Sequence, residues 1–591
     1  MPLFQKPKIP ENPSETIKDR LEEIEQATVS HAQKYLVRRW NNFKEVGHRS
    51  LIWLIIVLAL AVGVIQQTKA LDGYYKVNVP STGGTYSEGV SGKAENFNPI
   101  FAGSSAETTV TRLVFSGLLK YDRDNKLTGD LAVSYSADDS GQVYTLKLRD
   151  DARWHDGRPV QSSDVLYTIK MIQDPATRSP LASSWRGVKA EALSTTTVRF
   201  TLPSPFPPFP YSLTLGILPE HVLGGTPPFQ LRTANFNLQP TVGSGPFAFK
   251  EARTFQRKQE IKLIRNTDYF GGEIKPERFN VEAYENYDDL VAAFRNHEMS
   301  AVGGLRPEDL SNLKNQQGVQ RVNAPLQHAT FAFFKTSQST LADVSVRQAL
   351  SLATDKPALS QKLDNWFAPI NLPLLKGQLG YNPALDHADY DLNKANTLLD
   401  KAGWIKDPAT GLRKNKENRP LELNLVASSS DEYPKVAAEL QRQWQQLGIT
   451  VRTSLVKPSE FQQNVIIPHN YDILLYELAV GQDPDEYPYW HSSQATEKGL
   501  NLAEYRAPIV DEALEGGRTR SSVPLRTAKY NAFLEQWVKD VPAVALYQPS
   551  YGYAYRNSVS GFTDRTLVDP VDRFYNIIDW TAEEKQATAP H

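Results

Sequence analysis

No cysteine occurs among the 591 residues of this chain. Disulfides, thiol nucleophiles and cysteine metal ligands are thereby excluded. An excess of charge is missing too: 65 Lys and Arg stand against 67 Asp and Glu, a formal net charge of -2. No overall basic field favours nucleic acid. No segment repeats with a period of about 20–50 residues, so a solenoid is not supported.

Catalytic constellations are missing as well. His155-Asp156 looks like a metal-hydrolase pair, but neighbours at a strand end point apart and no second histidine pair follows at ligand spacing. Asp122 to Val133 starts like a calcium loop, yet position five is Lys126, position six lacks glycine and position twelve is Val133. Ser244 lacks the Gly-x-Ser-x-Gly frame of a nucleophile elbow. Gly83-Gly84, Gly224-Gly225 and Gly303-Gly304 have no following Lys-Ser/Thr pair, which excludes a phosphate loop. The expectation is a protein that binds rather than catalyses, with no cofactor and no resident metal.

What is present begins with Leu51 to Ile65, fifteen residues without a polar side chain. At the helical rise this run spans about 22 Å. The hydrocarbon core is about 30 Å thick, so flanking residues from Val46 to about Ala70 must help. Lys34, Arg38, Arg39, Lys44 and Arg49 precede the run, whereas only Lys69 and Lys76 follow closely. That asymmetry predicts a single-pass signal anchor over 50–70 with a cytoplasmic N-terminus. Before it, Asn12 as N-cap, Pro13 at the first helical position and Glu15 predict a helix start. Ile17, Leu21, Ile24, Thr28, His31 and Tyr35 then form a stripe that suits a partner helix, the inner leaflet or a solvated spacer. Gln66 to Ser91, rich in Gly, Ser, Thr and Tyr, reads as a linker into a first strand.

Beyond residue 90 the pattern is mixed α/β. Tyr144, Leu146 and Leu148 alternate with Thr145, Lys147 and Arg149, as do Val198, Phe200 and Leu202 with their neighbours, which predicts strands with one buried face. Val110, Leu113, Val114 and Leu118, and later Val436, Leu440, Trp444 and Leu447, recur at helical spacing. Between these lie Gly-Leu-Leu-Lys-Tyr-Asp at 117–122, Asp130-Leu-Ala132, Trp154-His-Asp-Gly157 and Ser163-Asp-Val165. Asn98-Pro-Ile100 precedes them, and further on come Val242-Gly-Ser-Gly-Pro-Phe247, Arg265-Asn266, Asp268-Tyr-Phe270, Val346-Arg-Gln-Ala-Leu350, Ala402-Gly-Trp404, Leu447-Gly-Ile449 and the strand Tyr471 to Tyr476. In this order and spacing they resemble family 5 of the extracytoplasmic solute-binding proteins, the peptide- and nickel-binding receptors of ABC importers.

That resemblance implies a two-lobed periplasmic-binding-protein-like fold of type II, cluster C, with an extra subdomain in lobe one. Carried over, residues 1–49 form a cytoplasmic segment and 50–70 the anchor. Lobe one occupies 71–325 with its extra subdomain at about 104–212, lobe two 326–521, the return to lobe one 522–580 and a tail 581–591. The implied partners are an oligopeptide ligand, an ABC permease and its ATPase subunits, with a monomeric ectodomain. A nickel chelate, opine or glycan ligand, or a sensing role without transport, are the alternatives. Without cysteine, the lipid tether common in the family is excluded, and the anchor takes its place.

The implied binding segment is Glu477 to His491. Peptide-binding relatives carry Trp-x-x-Asp-x-x-x-Pro there, whose aspartate meets the ligand's ammonium. Aligning on Pro484 puts Glu477 at the tryptophan and Val480 at the aspartate, so this chain departs at both places. Three readings stay open: Glu477 moves the carboxylate along the strand, Asp483 serves, or the ligand lacks a free amine. Gly481, Gln482 and Asp485 accompany them, with Tyr487, Tyr489, Trp490, Trp185 and Trp366 as aromatic walls. Ser104 and Ser105 sit where relatives meet ligand, and His491 is a nickel-chelate contact or a structural histidine.

Overall fold

The computed structural model describes the backbone at 38–387 and 390–588, and the side chains at 47, 50–67, 81–387 and 390–583. The N-terminal helix expected from Asn12 lies outside the described residues. The apolar run falls within one helix, Arg38–Tyr75, whose side chains from Leu51 to Ile65 are exposed. By length and composition Ser50–Gln67 is apolar enough to cross a membrane. This helix continues through 66–75, where a linker was expected. A two-stranded ladder then pairs Lys76–Pro80 with Glu584–Thr588.

Residues 80–584 form one compact unit built on two large sheets. The first has seven strands in the order Val319–Pro325, Ser550–Arg556, Ala301–Leu305, Thr85–Ser91, Arg278–Tyr284, Lys258–Arg265, Phe247–Thr254. A smaller antiparallel sheet, Ala132–Ala137, Val143–Leu148, Thr197–Thr201, Lys189–Ser194, stands in the segment expected to hold the extra subdomain. Tyr144, Leu146, Leu148, Val198 and Phe200 all bury, as their alternation requires.

The second lobe is a six-stranded sheet between two helical layers, in the order Ala368–Pro369, Ala543–Gln548, His328–Phe334, Ile473–Ala479, Glu422–Ser428, Thr450–Val456. Ala332, Phe334, Leu425 and Leu475 pack one face against Val346, Leu440 and Trp444 of the helices Val344–Leu352 and Tyr433–Gln445. Phe331, Phe333, Leu474 and Ala543 pack the other against Trp490, Leu514, Phe533 and Leu534. The helix Val523–Asp540 and strand Ala543–Gln548 therefore belong to lobe two, and the return to the first sheet comes only at Pro549. The expected boundary at 522 is corrected by that helix's buried apolar face, which covers the second sheet.

His155 ties two turns together. His155 accepts from the Gly243 amide at Nδ1 (3.1 Å) and meets the Gly245 carbonyl at Nε2 (3.1 Å). Burial holds the ring neutral, with its pKa lowered to about 4, so it pins the glycine-rich turn.

Candidate functional site

The chain crosses between the sheets twice, through Leu326-Gln327 and through Pro549. The crossings bind each other: the Leu326 amide donates to the Pro549 carbonyl at 2.9 Å, and Gln548 Nε2 donates to the Leu326 carbonyl at 2.7 Å. The amides of Val480 and Gly481 both donate to the Gln327 carbonyl, at 3.1 and 3.2 Å, and Gln327 Nε2 reaches Gln482 Oε1 at 3.3 Å. Gly481 takes φ +66, open to glycine at no steric cost. The loop after the central strand is thus fastened to the hinge itself.

At that hinge end the apolar face of the second sheet turns polar. Thr330 pairs across the strands with Glu477 on one side and Tyr547 on the other. Glu477 Oε1 lies 2.6 Å from His328 Nδ1, and the Glu477 side chain keeps 29% of its surface exposed. Tyr547 donates to Glu432 Oε1 at 2.9 Å. Glu432 precedes the first turn of Tyr433–Gln445, where the helix dipole favours a carboxylate. Burial outweighs this and, with repulsion from Glu477, pushes the Glu432 pKa up to about 7. Cross-lobe ion pairs flank this edge: Lys435 to Glu308 at 2.8 Å and Arg306 to Asp431 at 3.4 Å.

Past the hinge crossing the chain continues into the loop 483–491. Arg526 grips Asp483 with two bonds, 2.9 Å from Nη1 and 2.5 Å from Nη2, and both side chains are nearly buried. Arg518 sits 3.2 Å from Asp485. Burial, only partly offset by Arg518, raises the Asp485 pKa to about 6. Glu486 is buried against Trp490, whose Nε1 donates to it at 2.8 Å, and burial raises its pKa to about 8. Between this loop and the extra subdomain lies a cavity of about 550 Å³, lined by Asp485, Tyr487 and Arg518 from one lobe and Arg186, Phe206 and Phe209 from the other. The Arg518 guanidinium stands 4.5 Å from the Tyr487 ring and 5.0 Å from the Phe206 ring. One cation thus bridges two aromatic faces across the lobes.

Of the residues expected to meet a ligand, Asp485 and Tyr487 line this cavity, Glu477 is half-buried at the hinge, and Gly481 and Gln482 lie at the hinge crossing. Asp483 is corrected to a loop anchor, because Arg526 occupies both its oxygens. Trp185 packs inside lobe one edge-on to Phe209 and tilted against Phe200, and Trp490 inside lobe two stacked on Phe333 and edge-on to Trp537. At 3% and 0% exposure neither walls a cleft. Val480 is 5% exposed and packs in the core of lobe two, so no polar group replaces the missing aspartate at that position. His491 stacks on Tyr487, ring centroids 4.0 Å apart, and bonds Ser493. Ser104 caps the helix Ser105–Val114 in a capping box with Glu107, a structural duty. Ser105 is exposed at the first helical position. Tyr489 donates to the Ala479 carbonyl at 3.0 Å. Trp366 packs between the lobes, its carbonyl accepting from Asn323 Nδ2 at 2.9 Å. Among the described residues no cluster of three or more His, Asp or Glu is arranged to hold a metal. His328, Glu432, Arg518 and Phe206 were not singled out from the sequence; strand register and lobe docking bring them in.

The family described as bacterial extracellular solute-binding proteins, family 5 Middle, matches residues 126–499. The oligopeptide-binding protein AppA of Bacillus subtilis is 25% identical over 541 residues, spanning 90% of this chain and 98% of AppA. Among solved structures, NikZ from Campylobacter jejuni in complex with Ni(L-His) aligns with TM-score 0.72 at 25% identity, over 84% of this chain and 99% of NikZ. The structure of Bacillus subtilis AppA with a nonapeptide shares the fold at TM-score 0.70 and 24% identity, over 85% of this chain and 99% of that one. Such relatives are binding proteins of ABC importers and not enzymes. With its two lobes, its hinge and a family match covering well over half its length, the chain belongs to the bacterial extracellular solute-binding proteins of family 5.

Proposed function

We propose that this protein is a membrane-anchored receptor that captures oligopeptides between its lobes and presents them to an ABC permease and its ATPase subunits. The observation that carries the peptide reading is the polar hinge end of the second sheet. There Glu477, paired with His328, lies near enough to Glu432 for the two carboxylates to repel, a setting suited to a ligand's ammonium. The separate 550 Å³ cavity between the lobes has room for a side chain, with Tyr487 and Phe206 as walls. An extended peptide's backbone can be held by strand-like bonds that ignore its sequence, and ligand contacts made with both lobes favour closure. The exposed apolar helix over 50–67 supports the anchor, and the basic residues before it support a cytoplasmic N-terminus.

Mass spectrometry of whatever co-purifies with the protein tests the ligand class. Peptides with free N-termini are expected. A nickel chelate, as in the NikZ complex, or an opine or glycan would refute the peptide reading. Protease treatment of intact cells should digest 80–584 and spare the N-terminal segment. A mature chain beginning near Leu71 would refute the uncleaved anchor. In solution the receptor is expected to run as a monomer.

A further inference from the structure

The second lobe holds another cavity, of about 250 Å³, lined only by residues between 348 and 545, so nothing from the first lobe reaches it. It opens at the edge of the six-stranded sheet. On that side Ala368 and Pro369 pair with Gln548 and Tyr547 and the Ile370 amide donates to the Leu546 carbonyl, and Ala543, Val544 and Ala545 beyond them form a cavity wall. Leu352 and Leu398 add apolar surface opposite.

One end of this space is charged. Lys356 is 8% exposed, and its ammonium donates to the Ile370 carbonyl at 2.9 Å and to Asn371 Oδ1 at 2.7 Å. Both acceptors are neutral, and among the described residues no carboxylate lies within ion-pairing distance of Lys356. The acid that partly offsets its burial, Asp386, is one step removed, accepting from Asn371 Nδ2 at 2.8 Å. Lys394, also on the lining, has no carboxylate partner among the described residues either. A buried ammonium without a counter-ion is costly, and burial draws the Lys356 pKa down to about 7. An anion placed against it offsets that cost.

We propose that this cavity is a second ligand site, remote from the interlobe cleft, for a small organic anion. Its carboxylate meets Lys356 with help from Lys394, and its apolar body lies between Leu352, Leu398 and the Ala543–Ala545 edge. The volume falls below that of drug-sized pockets and suits a molecule of about ten heavy atoms.

The probe is 4-fluorobenzoate, observed by fluorine NMR on the full-length protein in detergent, with 4-fluorobenzamide as its neutral counterpart. Fluorobenzoate is expected to bind saturably and the amide about tenfold more weakly or worse, since a charge-assisted contact is lost. Lys356→Met should weaken fluorobenzoate by a similar factor, and Lys394→Gln by a smaller one. Equal binding of acid and amide, no binding of either, or unchanged fluorobenzoate affinity in a folded Lys356→Met protein would each overturn the proposal. If Lys356→Met does not fold, the acid–amide comparison in the parent and the Lys394→Gln titration decide. Inorganic phosphate binding while fluorobenzoate does not would also overturn it, because the apolar body would then have no role.

Discussion

Replacing Glu477 by glutamine keeps the side chain's size and removes its charge, which isolates the electrostatic part of the proposed ammonium contact. Among the described residues the parent carboxylate pairs with one basic side chain, His328 at 2.6 Å, and 29% of its own side chain remains exposed, which leaves it open to a ligand. A charge-assisted hydrogen bond in such a half-buried place contributes about 1.5–3 kcal/mol. The expected loss in peptide affinity is therefore about tenfold to about a hundredfold. N-acetylating the peptide should cost a similar amount in the parent and little more in the Glu477→Gln protein, since both changes remove one pair and the effects are not additive. Calorimetric titration of the four combinations measures this coupling directly. Equal binding of free and acetylated peptide by the parent would refute the ammonium contact and favour ligands without a free amine. A large loss in Glu477→Gln with no coupling to acetylation would mean that Glu477 acts by holding His328.

Asp483→Asn should destabilise the protein by about 3–5 kcal/mol, because it leaves the buried Arg526 guanidinium without its counter-ion; a thermal shift indistinguishable from the parent would refute the anchoring role. Glu486 keeps its proton in the folded state up to about pH 8, whereas the unfolded chain loses it near the ordinary glutamate value. Its contribution to stability is therefore full at low pH and lost as pH rises through that window. Glu486→Gln does not titrate, so its stability relative to the parent should climb by up to about 1.4 kcal/mol per pH unit between those values; denaturation curves that stay parallel across pH would refute it. Arg518→Ala removes the cation held between Tyr487 and Phe206, a contact of about 1 kcal/mol. It should weaken ligand binding about fivefold and shift small-angle scattering of the unliganded protein towards a more open form; unchanged scattering would refute the bridge.

The parts of this fold legible in the sequence are those in which one residue's environment is set by its near neighbours. Alternation at Tyr144, Leu146 and Leu148 announces a strand because a sheet with one covered face buries every second side chain. The stripe Val436, Leu440, Trp444, Leu447 announces the helix Tyr433–Gln445 for the corresponding reason at a period of 3.6. The lobe boundary was not legible in this way. Helix Val523–Asp540 has an apolar face, but nothing local says which of two sheets that face will cover, and its docking moved the return from 522 to Pro549.

The same division governs the cleft. The sequence shows that Val480 stands where relatives carry aspartate, and the fold explains why no compensating charge appears there: the side chain points into the lobe-two core, where an unpaired carboxylate would be expensive. On the proposed peptide reading the carboxylate comes from elsewhere, and the central strand carries Glu477 three residues earlier. Its partner His328 is 149 positions away, brought beside it by antiparallel register alone. Aromatic count misled for a related reason. Trp185 and Trp490 flank the expected cleft in sequence, yet each is the large apolar body that fills its own lobe. Meanwhile Phe206 and Arg518, unremarkable as sequence, meet across the cleft because two lobes dock there. Long-range register and docking, rather than composition or motif, decide which polar groups face the ligand. The residues that set specificity in this chain are therefore best sought by substitution at the hinge end of Ile473–Ala479 and around the 550 Å³ cavity, and a ligand screen in which neither region alters affinity would show that ligand selection lies elsewhere.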